Sequence, residues 1–247
     1  MALEQILPSL YRVPLKAVNA FVVDFGDDGL ILVDTGTPDD AGPILDAVGK
    51  LGREPTNVRH ILVTHCHADH AGGLAQLKKA TDAPAYMHPT DAEMVRVGRA
   101  LRPLTPTPGP LNRAAFWLFL QNGPKTLPAT EVEHEVSDGE ILPFAGGIRA
   151  VHVPGHCAGQ LAFLWPRHGG VLFVADAAAN VAGLLGLSPG HEDLEEGKRS
   201  AQKLAGLGFE TACFGHGRAI RSGATRLVSS CARACSSLTS STAPDWA

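Results

Sequence analysis

Short apolar runs broken by turns alternate along this chain with amphipathic stretches. Ala20 to Phe25 and Leu30 to Val33 flank Gly26-Asp27-Asp28-Gly29, which predicts a hairpin. Pro38 to Leu51 places Ile44, Leu45 and Val48 on one helical face, with Gly52 just beyond its end. Ile61-Leu62-Val63 reads as a buried strand running into Thr64 to Gly73. A helix is expected over Leu74 to Ala80, a strand at Ala85-Tyr86-Met87 and a helix over Thr90 to Leu101. Further strands are expected at Ile148 to Val153, Leu161 to Trp165, Val171 to Ala175 and Thr211 to Phe214. Asp193 to Leu207 reads as a helix with Asp193 as its N-cap, Glu195 and Glu196 in its first turn and Gly208 at its end.

The texture changes between Arg102 and Pro128. Six prolines limit regular structure there, around one apolar patch, Phe116-Trp117-Leu118-Phe119-Leu120. This segment reads as an insertion, a lid or pocket wall built on Phe116, Trp117, Phe119 and Leu120, with a homodimer contact as the alternative. Strands alternating with helices argue for an α/β layered fold. The stretches 20–87 and 148–214 read as two halves of one domain. That domain is expected over 1–222, followed by a C-terminal helix and a frayed tail over 223–247.

Composition narrows the function. With 247 residues, 45% apolar and 19% charged, the chain can bury a sizeable core. A net charge of -4 argues against a broad electrostatic grip on nucleic acid. The most apolar stretch, Val171 to Leu187, is interrupted by Asp176, Asn180 and glycines, so no membrane span is expected. Met1 to Leu10 has no basic n-region and no long apolar h-region. Five cysteines without a CxxC pair suggest neither a disulfide framework nor a structural zinc knuckle, which points to a reducing, cytoplasmic setting.

Eleven histidines carry the chemical signal. His65-Cys66-His67-Ala68-Asp69-His70 puts three imidazoles and a carboxylate into six residues directly after a buried strand. That donor set suits zinc and other borderline divalent ions, and in an irregular loop it can splay toward two metals. Three later residues are candidate partners: His156 in Pro154-Gly155-His156, Asp176 after the run Val171 to Ala175, and His216 in Gly215-His216-Gly217. Each sits at a strand end beside small residues. Taken singly, each could instead be a turn histidine or a capping aspartate. Asp34, ending the strand Leu30 to Val33, is costly there without a partner. It is expected to orient a ligand histidine, His216 foremost, or else to close an Asx turn. His88 is kept as a possible neighbour of the ligands. His60, His134, His152, His168 and His191 read as structural or solvent-exposed. Cys66 and Cys157 read as packing residues, because adjacent side chains diverge.

Together the box at 65–70, the Pro-Gly-His turn at 154–156, Asp176, Gly215-His216 and the early Asp34-Thr35-Gly36 resemble the metallo-β-lactamase-fold hydrolases, in the branch that includes glyoxalase II-like enzymes. The resemblance spans about residues 10 to 222 and implies a four-layer αββα sandwich with metals at the sheet edges. It implies one metal on His65, His67 and His156, and a second on Asp69, His70 and His216. Asp176 and a hydroxide would bridge the two, and Asp69 would handle the nucleophile's proton.

Departures from the family's patterns limit the assignment. Asp176, where cysteine or serine would stand, argues against true β-lactamases, and His67 argues against the flavodiiron branch. The Gly-Cys-Gly-Arg stretch and C-terminal helices of glyoxalase II are missing, and Ala179 replaces the tyrosine of the lactonases that resemble this chain. No basic arm like that of the tRNA-processing nucleases is found. The expectation is a dinuclear zinc hydrolase of a small ester, thioester or lactone, with Fe or Mn as alternative metals. Two other readings are a mononuclear iron sulfur-dioxygenase resembling the persulfide dioxygenases, and a non-catalytic metal-binding protein.

Overall fold

The structure, a computed structural model, describes residues 3–16 and 18–236. A seven-stranded sheet takes its strands in chain order: β1 (Glu4–Leu7), β2 (Leu10–Pro14), β3 (Asn19–Asp24), β4 (Leu30–Val33), β5 (Val58–Leu62), β6 (Ala85–Met87) and β7 (His134–Glu135). The first four pair antiparallel, and β4 to β7 are parallel. A second, five-stranded sheet runs β8 (Ile141–Leu142), β9 (Ile148–His152), β10 (Leu161–Trp165), β11 (Val171–Ala175) and β12 (Thr211–Phe214). Its strands pair antiparallel except β11 with β12, which are parallel. The parallel steps carry helices: α1 (Ala41–Lys50), α2 (Ala68–Ala71), α3 (Leu74–Thr81) and α4 (Pro89–Arg96) on the first sheet, then α5 (Pro110–Ala115) in the insertion, and α6 (Leu194–Ala205) on the second, where α7 (Ala224–Ser236) follows the last strand.

Side-chain alternation sorts the core into layers. Phe21, Val23, Ile31, Val33 and Leu62 of the first sheet pack against Ile148, Ala150, Leu161, Phe163 and Phe173 of the second. Their alternates, Val22, Leu30, Leu32 and Ile61, face Ile44, Val48, Leu74, Leu77 and Val95 of the helices. On the far side, Val151, Leu172, Val174 and Phe214 pack under Leu204 and Val228. Helices, two sheets and helices make the expected αββα sandwich.

The strands first placed by pattern are present. Asp193 caps α6, its Oδ1 accepting from Glu196 N at 3.0 Å. The fourth helix ends at Arg96 rather than Leu101, because Gly98 turns the chain at φ 73°. The insertion is more regular than its prolines suggested. Pro110 occupies the first turn of α5, where it needs no N–H partner, and the helix continues through 116–120 in a wider turn. Residues 105–106 pair with 190–191, which ties the insertion to the second half. Of the helix and tail expected over 223–247, the helix is α7, and the part of that stretch at 237–247 lies outside the described residues. No described helix is long and apolar enough to cross a membrane.

Candidate metal centre

Asp34 follows β4, His65 to His70 follow β5, His156 follows β9, Asp176 follows β11 and His216 follows β12. All are C-terminal strand ends at one edge of the sandwich. Hydrogen bonds tie the two sheets together there: Leu161 N donates to Thr64 O at 2.8 Å and Asn19 N to Gly215 O at 2.8 Å. The backbone bends to aim the carboxylates. Asp34 (φ 61°) and Ala175 (φ 55°) are both left-handed, and the β11–β12 register slips just before Asp176. Such conformations are costly for residues with a Cβ and persist where surrounding contacts enforce them. Gly215 leaves the space required, since a Cβ there would lie 2.5 Å from Asp176 Oδ1 and 2.7 Å from His70 Cε1.

The structure gathers the ligand candidates into two groups, bridged by a third in which His65 and His70 share Asp176. His65 Nε2 and His156 Nε2 lie 3.1 and 3.0 Å from His67 Nδ1. Donors about 2.0–2.1 Å from a tetrahedral zinc stand about 3.3 Å apart, so these three nitrogens fit one ion. Asp69, His70 and His216 form the second group. Asp176 lies between them, its Oδ2 at 3.2 Å from His216 Nε2 and 3.6 Å from His156 Nε2, with Oδ1 at 3.5 Å from His70 Nε2. His70 Nε2 and Asp176 Oδ1 are buried without a hydrogen-bond partner, an expensive state that a cation would relieve.

Neighbouring groups set the imidazole tautomers. Asp34 accepts from Thr64 N at 2.8 Å, from the Thr64 hydroxyl at 3.0 Å and from His70 Nδ1 at 2.9 Å. With its own proton committed to Asp34, the Thr64 hydroxyl accepts from His65 Nδ1 at 3.0 Å. His156 Nδ1 donates to Gly190 O at 2.7 Å. Each bond engages Nδ1 and aims Nε2 toward the cluster. Asp34 thus orients His70, not the expected His216, because the α2 turn brings His70 beneath it while His216 faces Asp176 and Asp69.

Charge acts in both directions here. Burial, then repulsion from neighbouring histidines, lowers His65, and burial with His156 lowers His67 to about 3, so both are neutral donors. Burial also opposes charge on His70, but Asp69, Asp34 and Asp176 outweigh it and raise it to about 9. His216 is likewise raised by Asp176 and Asp69 against the effect of burial. Burial works against ionised Asp176, yet His216 and His70 hold it well below the usual carboxylate range. A metal taking the His70 nitrogen would therefore release a proton.

Other histidines are distributed largely as expected. His60 stacks on Phe144 and meets the Tyr86 hydroxyl, and His134 stacks on Tyr86. His88 is not beside the ligands. It caps α4 and stacks on His152. His191 is more involved than its local sequence suggested. It is fully buried, bonded through Nδ1 to Thr107 Oγ1 at 2.9 Å, with its ring 6.0 Å from that of His156. Thr64, directly before His65, carried no expectation, and its bond to His65 Nδ1 is a finding of the structure. The Gly190 carbonyl and His191 reach the site only through the return of the chain after β11.

The apolar patch of the insertion divides by helical spacing. Phe116 and Leu120 turn inward and line a cavity of about 360 Å³ with Leu101, Arg102, Pro103, Leu104, Gln121 and Lys125. Trp117 and Phe119, expected as pocket residues, point to solvent from the opposite face, 56% and 74% exposed. Phe116 and Leu120 also pack on Gly190, where a Cβ would lie 2.9 Å from each, so the cavity wall rests on the residue whose carbonyl orients His156.

Known proteins resemble this chain over most of its length. The sequence model of the metallo-β-lactamase superfamily matches residues 13–216. The chain is 27% identical over 224 residues to the probable metallo-hydrolase YflN of Bacillus subtilis, covering 84% of this chain and 83% of that one. It is 28% identical over 162 residues to a hydroxyacylglutathione hydrolase of Halorhodospira halophila, covering 63% of this chain and 46% of that one, in keeping with a glyoxalase II-like branch. Among solved structures, the subclass B3 metallo-β-lactamase BJP-1 of Bradyrhizobium japonicum superposes with a TM-score of 0.72 at 21% identity, covering 96% of this chain and 91% of that one. The match from β2 through His216 places this chain in the metallo-β-lactamase superfamily of metal-dependent hydrolases.

Proposed function

We propose that this protein is a dinuclear zinc hydrolase acting on a small ester, thioester or lactone. His65, His67 and His156 would hold one ion, Asp69, His70 and His216 the other, and Asp176 both. The observation that carries this reading is the position of Asp176 Oδ2, within 3.6 Å of His156 Nε2 and 3.2 Å of His216 Nε2. Two divalent cations would polarise a carbonyl oxygen and acidify a water molecule. The chain's own residues supply the rest. Asp69 and His216, with side chains 33% and 27% exposed, mark the open face from which substrate would arrive. Burial opposes charge on Asp69, but His70 and His216 hold its carboxyl well below the usual carboxylate range, so the carboxylate is ionised there and available to a cation. The cavity behind Phe116 and Leu120 would receive the apolar part of the substrate. Convergence of all seven residues favours this reading over an iron dioxygenase, which needs only two histidines and one aspartate.

Metal analysis combined with a panel of thioesters, lactones and aryl esters tests it. The expected result is close to two zinc ions per chain, with activity lost to a chelator and restored by zinc. Activity that survives full metal removal, or one iron with no zinc, overturns the reading.

A further inference from the structure

A second buried cluster lies beside the metal centre. Asp91 of α4 is fully buried, and its carboxylate meets four donors. Oδ2 accepts from Cys66 N and from the Cys157 thiol, each at 3.0 Å. Oδ1 accepts from Gly159 N at 3.1 Å and from Arg102 Nη1 at 2.8 Å. Cys66 stands between His65 and His67, and Cys157 follows His156. The thiols meet each other at 3.6 Å, and the Cys157 sulfur also lies within 4.8 Å of a His67 nitrogen and of the Glu192 carboxylate. Position 159 admits only glycine here, because a Cβ would sit 2.6 Å from the Asp91 carboxylate.

Cys66, Asp91 and Cys157 are close enough to suggest a third metal site. Arg102 argues otherwise. Its Nη1 lies 2.8 Å from Asp91, 3.4 Å from the Cys157 sulfur and 3.2 Å from Glu192, so a cation already fills the cluster. Glu192 in turn accepts from Ala158 N at 3.0 Å, a second hold on the His156 loop.

We propose that Asp91 is a positioning residue that assembles the His65–His67–His156 site. The first two nitrogens come from a loop on one sheet and the third from a loop on the other, and the Asp91 carboxylate is bonded to the backbone of both. Its charge lets one side chain accept all four donors at once. An amide could not, since its NH2 would face two donors whichever way it turned. This inference rests on the reading that these histidines bind metal, which the wild-type titration tests separately.

The experiment is a metal titration of Asp91→Asn and wild type against a competing chelator, with 113Cd resonances of the loaded proteins and the melting temperature of the metal-free ones. Wild type should take two equivalents and show two resonances. In Asp91→Asn, one equivalent should weaken by about tenfold or more and its resonance shift, with the other unchanged. The inference is overturned if both equivalents keep wild-type affinity, or if both weaken together in step with the melting temperature. A wild type that binds no metal overturns the proposed function instead. If Asp91→Asn does not fold, Cys157→Ala and Cys157→Ser decide. The alanine should weaken the same single equivalent and the serine, whose hydroxyl still donates to Asp91, should restore it. Wild-type binding by Cys157→Ala overturns the proposal.

Discussion

Asp34 Oδ2 and His70 Nδ1 lie 2.9 Å apart, joining the end of β4 to the helical turn after β5. The same carboxylate oxygen takes the Thr64 hydroxyl at 3.0 Å, and through it His65. One buried aspartate therefore sets the tautomer of one histidine in each candidate metal group. Asp34→Asn should weaken metal binding by about 10- to 100-fold, mainly in the His70 group. Thr64→Val should act more weakly, and on the His65 group. A chelator titration that finds both variants equal to wild type would remove Asp34 from any orienting role.

Asp69 offers a test of proton handling. Asp69→Asn roughly keeps the side-chain shape and removes its basicity. A fall in kcat of about 10²-fold or more is expected, with metal content measured on the same sample. Two retained metals and a near-normal kcat would leave Asp69 a ligand only.

The insertion should discriminate substrates through its inner face. Phe116→Ala, which opens the cavity wall, is expected to raise KM for long acyl substrates more than for short ones. Trp117→Ala, on the exposed face, should leave that ratio unchanged. The reverse order of effects would mean that the outer face meets the substrate.

Histidine 60 makes stability depend on pH outside the metal centre. Burial, then the positive charges of His134 and Arg59, lower it to about 4 from 6.5. Between those values the unfolded chain binds a proton that the folded chain refuses. Stability contributed by neutral His60 is therefore present above pH 6.5 and is lost as pH falls toward 4. In metal-free protein, His60→Gln should flatten the decline in denaturation midpoint between pH 7 and pH 5. An unchanged slope would refute the assignment.

Sequence alone determined the layered α/β class, the alternation of strands and helices, and the seven ligand candidates. Strand periodicity and capping are local, and the His65–His70 box is dense enough to be read in one place. The partners of those ligands were not legible. Asp34 was singled out, but its histidine depended on how the α2 turn folds back over β4, and that turn chose His70 instead of His216. Asp91 gave no local signal, because all it does is join loops that lie far apart in the chain. The prolines of the insertion suggested irregularity, yet Pro110 begins a helix, and helical spacing sent Phe116 and Leu120 inward while Trp117 and Phe119 went outward. Residue type and short spacing fix which side chains can bind a metal, whereas tautomer, orientation and the joining of the two sheets arise from hydrogen bonds that exist only once the sheets have packed.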